Sequence, residues 1–280
     1  MIDYANSDPL FYNSLLLFSN KDMEKIKNST VAIAGIGGVG SIAVEMLARA
    51  GVRNLKLADP DVYSEVNLNR QIFATTDTIG KNKALVAKER VLKISPNCNI
   101  EIFEDGVNIN NVKEFCKNAD IIITIPDKES IKVILHKVAK ENKIPCTMGS
   151  RCSINKASRW SVEAKLWDYK NEDVETFGAT NHPDLDKFSF EELTQEILDE
   201  YDEKIKIKKM NFFKETALSN ADLFKSIKKE DLIERIENNE KYFNRHVCSV
   251  IANTAGCLAA SATLKYLLGS KKTTIGVELW

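Results

Sequence analysis

Residues 31–51 read VAIAGIGGVGSIAVEMLARAG, and this stretch decides the fold. Its first four residues form a short apolar run that is typical of a buried strand. Gly35, Gly37 and Gly40 then give the pattern G-x-G-x-x-G, and apolar residues recur after them at helical spacing until Gly51. Glycines between a strand and a helix leave backbone N–H groups free at a helix N-terminus, which attracts phosphate. The stretch therefore predicts a nucleotide-binding strand, turn and helix.

A second predicted strand, at residues 55–58, is followed directly by Asp59. This acid comes about 20 residues after the last glycine of the motif, which is the distance at which a carboxylate is placed to bind ribose hydroxyls. On these residues alone, a dinucleotide such as NAD is the default ligand.

The next residues favour a triphosphate over NAD. Residues 60–71 read PDVYSEVNLNRQ, and residues 78–83 read TIGKNK. Arginine offers phosphate a fixed fork of donors, and lysine offers a point charge. Arg70 and Lys83, together with the amides Asn67 and Gln71, would therefore hold the β- and γ-phosphates and stabilise charge during displacement at the α-phosphorus. A dinucleotide oxidoreductase has no chemical need for these groups.

The combined motifs resemble the ThiF/MoeB/HesA family of adenylating enzymes, which are bacterial relatives of ubiquitin-activating enzymes. The matching patterns are G-x-G-G-x-G at 35–40, D-x-D at 59–61, N-x-x-R-Q at 67–71 and G-x-x-K at 80–83. The resemblance implies binding of ATP with Mg²⁺, adenylation of a substrate carboxylate, and a homodimer. It also implies that the following residues hold the nucleotide: Gly35, Gly37, Gly38, Gly40, Asp59, Asp61, Asn67, Arg70, Gln71 and Lys83.

A fourth apolar strand is predicted at residues 120–125, which read DIIITI. Ligands of doubly wound sheets bind beyond the carboxyl ends of the strands, so Asp127 is expected to face the same crevice as Asp59. The family has the pattern D-x-x-D-N here, and the resemblance implies that Asp127, as its second Asp, binds Mg²⁺. In this chain Thr124 stands in place of the first Asp, and Lys128 stands in place of the Asn. The alternative is that Asp127 caps the helix predicted at 129–141.

Composition narrows the class of protein. The 280 residues are 44% hydrophobic and 28% charged, as in globular proteins, and the net charge of −1 gives no basic field for nucleic acid. Residues 247–268 are apolar, but polar interruptions favour a buried helix over a membrane span. The N-terminus lacks a signal peptide's basic region, and scattered cysteines suit the cytoplasm. None of the six cysteines forms a C-x-x-C pair, so the zinc site of many relatives is not expected.

The expected fold is α/β, with a Rossmann-like, doubly wound, mostly parallel sheet, helices on both faces and a helical insertion before the last helix. Residues 1–30 are predicted as a helical lead-in, 31–167 as the adenylation core, 168–242 as a charged, mostly helical crossover or substrate insertion, and 243–280 as the C-terminal helix and closing strand. Finer predictions are helices at 78–94 and 107–118, strands at 99–103 and 144–148, and an antiparallel strand pair within 154–167.

Ubiquitin-activating relatives carry a nucleophilic cysteine on the crossover segment, whereas this chain has no cysteine between residues 153 and 247. Cys146 falls on a predicted buried strand, and Cys248 and Cys257 fall on a predicted buried helix, where cysteine behaves as a small hydrophobe. Cys152 is the remaining candidate. We therefore expect adenylation without a thioester step.

These observations predict an ATP-dependent adenylyltransferase in which Arg70, Lys83 and Asp127 are catalytic and the substrate is a carboxylate. The C-terminus of a ubiquitin-like protein or of a short peptide is the first expectation, and a tRNA-linked or other acid stays open as an alternative. One alternative is a non-catalytic ATP-binding scaffold, because relatives lend an N-terminal arginine to the partner subunit's nucleotide and this chain has no arginine before Arg49. The other alternative is an NAD(P)-dependent oxidoreductase, which explains the glycines and Asp59 but not the cations.

Overall fold

The computed structural model describes residue 14 and residues 17–154, 160–171, 183–219, 249–270 and 274–279. Seven strands within them form one sheet: β1 (Thr30–Ala34), β2 (Asn54–Ala58), β3 (Asn99–Phe103), β4 (Ile121–Thr124), β5 (Cys146–Ile154), β6 (Trp160–Trp167) and β7 (Thr274–Leu279). Their order is β3-β2-β1-β4-β5-β6-β7. Strands β1 to β5 are parallel, and β6 and β7 pair antiparallel. The predicted Rossmann-like, mostly parallel sheet is confirmed.

Helices cover both faces of this sheet. They are α1 (Asn20–Asn28), α2 (Gly38–Ala50), α3 (Lys83–Ile94), α4 (Val112–Cys116), α5 (Glu129–Glu141), α6 (Pro183–Asp186), α7 (Gln195–Ser219) and α8 (Ser249–Leu267). Strand side chains alternate between the faces. Val31 and Ile33 of β1 join a core with α1, α2, α3 and α8, whereas Ala32 and Ala34 join a second core with α4, α5 and α7. The nucleotide motif helix α2 and the insertion helix α7 therefore lie on opposite faces.

The strand register brings three loops to one edge of the sheet. Ala34, at the end of β1, pairs with Ala58 of β2 and with Thr124 of β4. Because the three strands are parallel and end level with one another, the loop that follows each of them leaves from the same edge. The glycine turn, Asp59 and Asp127 are the first residues of those loops or lie close behind them.

The two helices predicted at residues 78–94 and 107–118 are shorter in the structure. The helix predicted from residue 78 begins at Lys83, because the side chain of Asn82 accepts hydrogen bonds from two N–H groups of its first turn and so ends the preceding turns. The helix predicted at 107–118 is confined to α4, because the side chain of Asn108 accepts from the N–H groups of Asn110 and Asn111 and holds a turn there.

The strands after β4 also differ in their bounds from the prediction. The strand predicted at 144–148 continues to Ile154, and it is this longer β5 that pairs antiparallel with β6, rather than two strands within 154–167. A shift in register between Gly149 and Cys152 accompanies that extension. Of the predicted insertion at 168–242, the structure describes helices α6 and α7.

Helix α8 packs closely on α2. A Cβ atom on Gly256 would lie 1.8 Å from Cγ2 of Ile42, so only glycine permits this approach. A small residue of α8 thus faces the motif helix of the same chain. Among the described helices, none is both long and apolar enough to cross a membrane.

Candidate functional site

A cavity of about 580 Å³ opens at the edge of the sheet where β1, β2 and β4 end. Its volume is within the range of small-molecule sites. All but one of the predicted site residues line it: Gly35, Gly37, Gly38, Gly40, Asp59, Asp61, Arg70, Gln71, Lys83 and Asp127. The exception is Asn67. Residues predicted from separate motifs therefore converge on one cavity.

The glycine turn has a structural part and an open part. Gly35 adopts a φ of +96°, and a Cβ atom there would lie 2.4 Å from the carbonyl oxygen of Ile125. At Gly37, by contrast, the nearest atom to an added Cβ would be Nε2 of Gln71, at 3.7 Å. Helix α2 begins directly after Gly37 and has no side-chain cap. The space beside Gly37 thus forms a cradle in front of uncapped N–H groups, which suits phosphate.

Asp59 is buried behind the glycine turn and ties it to β2. Its Oδ2 accepts a hydrogen bond of 2.6 Å from the N–H of Ile36, and its Oδ1 accepts one of 2.9 Å from the N–H of Asp61. Burial raises the pKa of this carboxyl, and the charge of Lys83 counteracts the rise. Each carboxylate oxygen can accept a further hydrogen bond. Asp59 can therefore both fix the turn and receive ribose hydroxyls.

Lys83 brings a buried ammonium group into the cavity. Its side chain is 4% exposed, and Nζ lies 2.7 Å from Oδ2 of Asp61. Lys83 is the first residue of α3, and its backbone N–H donates to the carbonyl of Asp61. The side chain of Asn82 also donates to the carbonyl of Asp59. Because these bonds tie the start of α3 to the end of β2, the ammonium group of Lys83 is held in place beside the carboxylates of Asp59 and Asp61.

Arg70 and Gln71 enter the cavity on the side of the glycine turn. Nη1 of Arg70 donates at 2.8 Å to the carbonyl of Val66 and at 2.8 Å to Oδ1 of Asn69. The Cγ of Arg70 would lie 3.5 Å from a Cβ on Gly38. Oε1 of Gln71 is buried and has no hydrogen-bond partner among the described residues. A guanidinium and an amide therefore border the cradle.

Asn67 lies outside the cavity lining, unlike the other predicted nucleotide-binding residues. Its Oδ1 accepts from the N–H of Ser64 at 3.1 Å, and its carbonyl accepts from the N–H groups of Arg70 and Gln71. These bonds cap the short 3₁₀ turn at Glu65–Asn67. Asn67 thus holds the turn that presents Arg70 and Gln71, a positioning role that a linear motif cannot distinguish from direct binding.

Asp127 lies exposed at the cavity wall, just after β4. The N-cap residue of α5 is Lys128, the residue after Asp127, and the N–H of Ser130 in the first turn of α5 donates to Asp202. Mg²⁺ bound to a triphosphate takes one or two protein carboxylates and completes its shell with water and phosphate. Asp127 could serve as such a single carboxylate ligand. The described residues contain no group of three metal-ligating side chains.

Sequence reasoning missed several residues that line the cavity. Asp105, Val107 and Asn108 follow the end of β3, so the rule that identified Asp127 would have found them as well. Gln195 of α7 and Ala252 of α8 also line the cavity. They come from segments far away in the chain, and no local pattern marks them.

The described cysteine side chains lie away from the cavity lining. Burial raises the pKa of Cys98 to about 11 and that of Cys116 to about 12, and it also raises the pKa of Cys146. Cys257 was expected to be buried and is exposed, because it lies on the side of α8 that faces away from the core. The side chain of Cys152 and all of Cys248 lie outside the described residues.

Comparison with known proteins gives one family. A model of the ThiF family matches residues 12–280. The chain is 36% identical over 129 residues to tRNA threonylcarbamoyladenosine dehydratase of Haemophilus influenzae, which covers 46% of this chain and 49% of that protein. It is 31% identical over 153 residues to molybdopterin-synthase adenylyltransferase of the same organism, covering 54% of this chain and 63% of that protein. The chain thus spans about half the length of the first relative.

A solved structure supports the fold. The crystal structure of Escherichia coli tRNA N6-threonylcarbamoyladenosine dehydratase in complex with ATP matches with a TM-score of 0.62. The match covers 92% of this chain and 93% of that chain, at 22% identity. Likeness at this level of identity is evidence for a shared architecture.

Proposed function

Because this chain belongs to the ThiF family, we propose that it is an ATP-dependent adenylyltransferase that activates a substrate carboxylate as an acyl-adenylate. The observation that carries this proposal is the convergence, in one cavity, of an open glycine cradle with Arg70, Lys83 and the carboxylate of Asp59. A binding site for a triphosphate needs all three kinds of group.

ATP would lie along the edge of the sheet. Its ribose hydroxyls would donate to Asp59, and its phosphates would extend over Gly37 and Gly38 toward Arg70 and Lys83. The carboxylate of Asp61 now neutralises Lys83 at 2.7 Å. A phosphate oxygen arriving there would compete with Asp61 for the same ammonium, so a bound triphosphate replaces the partner of Lys83 rather than creating a new buried charge.

In the reaction, an oxygen of the substrate carboxylate forms a bond to the α-phosphorus while the bond from that phosphorus to the bridging oxygen breaks. Pyrophosphate leaves with the electron pair of the broken bond. The substrate is already ionised at neutral pH, so no base is required. Arg70 and Lys83 would stabilise the charge that develops on the leaving group. Asp127 would hold Mg²⁺, which supplies further neutralisation of the phosphates when it is bound.

The substrate in this proposal is the C-terminal carboxylate of a small protein or peptide, and the proposal contains no thioester step. The cysteines whose side chains the structure describes, Cys98, Cys116, Cys146 and Cys257, lie outside the cavity lining. Net charge of −1 argues against nucleic acid as the partner. Scattered free thiols favour the cytoplasm.

We also propose a homodimer. Five large apolar side chains within residues 62–85 are 37–53% exposed. Val62, Val66, Leu68 and Ile72 lie between β2 and α3, and Leu85 lies in the first turn of α3. Single exposed apolar residues are ordinary, but five within one short segment are typical of an interface. Sedimentation equilibrium would test this, and a monomer at micromolar concentration would contradict it.

Titration calorimetry on the pure protein tests the nucleotide assignment, with ATP and with NAD⁺, each with and without Mg²⁺. Replacing Arg70 by Ala removes charge-assisted hydrogen bonds, so affinity for ATP should fall about 10- to 100-fold. Arg49→Ala is the matched control, because Arg49 is half-exposed on α2 and pairs with Glu45, which keeps its bonds to Arg90.

Binding of NAD⁺ that is tight and indifferent to Arg70→Ala would refute the proposal in favour of the oxidoreductase. Exchange of labelled pyrophosphate into ATP in the presence of carboxylate peptides then tests for turnover. Tight ATP binding without exchange, for every peptide tried, would favour the non-catalytic scaffold.

A further inference from the structure

The insertion helix α7 forms part of the cavity wall. Its first residue, Gln195, lines the cavity. The helix is anchored by Leu198 and Tyr201, which are buried in the second core, and by Asp202, which accepts hydrogen bonds from the N–H and the hydroxyl of Ser130 at the start of α5. The position of Gln195 is therefore fixed by the core of the protein rather than by a loose loop.

Gln195 lies on one particular half of the cavity. The glycine cradle and Arg70 belong to the half on the α2 side, where Ala252 of α8 also lies 3.1 Å from a Cβ placed on Gly38. The other half lies on the side of α4, α5 and α7, and its apolar lining includes Val107 and Ile131. The phosphates of a nucleotide need the glycine cradle and Arg70 on the α2 side. Its flat apolar base would therefore lie on the other side, against Val107 and Ile131.

The amide of Gln195 has a defined orientation. Its Nε2 donates a hydrogen bond of 3.0 Å to Oδ1 of Asp199, and a carboxylate only accepts, so the nitrogen must be the atom on that side. The same Oδ1 lies 3.4 Å from Nζ of Lys128, an ion pair that helps to hold the Asp199 side chain in place. Because the oxygen and nitrogen of an amide point in different directions, Oε1 of Gln195 is left to accept a hydrogen bond from a ligand.

We infer that Gln195 selects adenine, by accepting a hydrogen bond at Oε1 from the 6-amino group of the base. Adenine carries an amino donor at this position, whereas guanine carries a carbonyl acceptor that would meet Oε1 with two lone pairs facing each other. This inference rests on the proposed function, because it presumes that a nucleoside triphosphate occupies the cavity. It gives the insertion a role in reading the nucleotide.

The test compares ATP with purine riboside triphosphate, which lacks only the 6-amino group, by titration calorimetry with Mg²⁺. Because ATP makes one neutral hydrogen bond more, the wild type should bind ATP about three- to tenfold more tightly than purine riboside triphosphate. In Gln195→Ala this ratio should approach one through weaker binding of ATP, with binding of purine riboside triphosphate unchanged. Glu196→Ala is the matched control, since Glu196 is the next residue of α7, is exposed and is not part of the cavity lining.

Three outcomes would overturn the inference. A ratio near one in the wild type, or a ratio that Gln195→Ala leaves unchanged, would remove the role of Gln195 while the proposed function stands. Failure of the wild type to bind either triphosphate would overturn the proposed function and this inference together. Far-UV circular dichroism and the melting temperature of Gln195→Ala, an exposed position, establish that α7 stays folded.

Discussion

His136 should make this protein lose stability in mild acid. The imidazole is fully buried on α5, where Nδ1 lies 2.7 Å from the hydroxyl of Tyr169 and Nε2 lies 3.0 Å from the hydroxyl of Thr124. The ring of Trp167 packs edge-on at 5.0 Å. Burial, with a smaller contribution from the charge of Lys132, lowers the pKa of His136 from 6.5 to about 3. The folded protein therefore keeps this ring neutral.

The magnitude follows from the difference in proton binding. Between pH 6.5 and 3 the unfolded chain binds a proton at this histidine that the folded chain does not, so the free energy of unfolding falls as the pH falls through this window. Each unit of pH costs about 1.4 kcal/mol. At about pH 5 the loss relative to neutral pH is thus about 2 kcal/mol, and above about pH 7 the contribution is constant.

Urea denaturation at pH 5 and pH 7.5 measures this loss, with His136→Gln as the perturbation. Glutamine cannot ionise and has one donor and one acceptor to offer Tyr169 and Thr124. The variant should be less stable at neutral pH, but its stability should fall with pH by about 2 kcal/mol less than that of the wild type. Equal losses in the two proteins, or a His136 ring that titrates near pH 6.5 by NMR, would refute the reasoning.

Two further predictions concern the cavity. Gly37→Ala should keep the melting temperature and weaken ATP binding about tenfold, because the added Cβ fits without a clash but fills the cradle. Gly40→Ala should instead lower the melting temperature by about 3–10 °C, because its Cβ would lie 1.8 Å from the carbonyl oxygen of Gly35. Equal melting temperatures in the two variants would contradict this division of roles. Asp127→Asn should raise the Mg²⁺ concentration needed for half-maximal ATP binding about tenfold, with magnesium-free binding unchanged; a parallel loss without Mg²⁺ would show that Asp127 contacts the nucleotide directly.

The boundaries of local structure show where sequence reasoning fails. The start of α3 at Lys83 depends on which N–H groups the side chain of Asn82 accepts from, and the short α4 depends on a similar turn at Asn108. Both asparagines sit inside stretches with helical spacing. Side-chain hydrogen bonds of this kind compete with the helix over only about 1 kcal/mol, so the hydrophobic pattern cannot decide between them.

Some residues of the candidate site could likewise be predicted from the sequence, whereas others could not. Its glycines, Asp59 and Lys83 could be predicted, because parallel strands that end in polar residues must present them at one edge. Asn67 could not be separated from them, since its motif is the same whether its side chain faces a ligand or caps a turn. Gln195 could not be found at all, because only the docking of α7 through Asp202 brings it to the cavity.

The sequence by itself determined the chemistry that we propose for this protein: a glycine turn suited to phosphate, an acid after the second strand, and cations suited to a triphosphate, all within residues 31–83. Such features are local, because strand, turn and helix are set by neighbouring residues. Only the tertiary structure decided which polar groups face the cavity, which one supports them, and that His136 is buried without charge. Those outcomes depend on how distant segments pack, and packing sets the burial and the hydrogen-bond partners of each side chain.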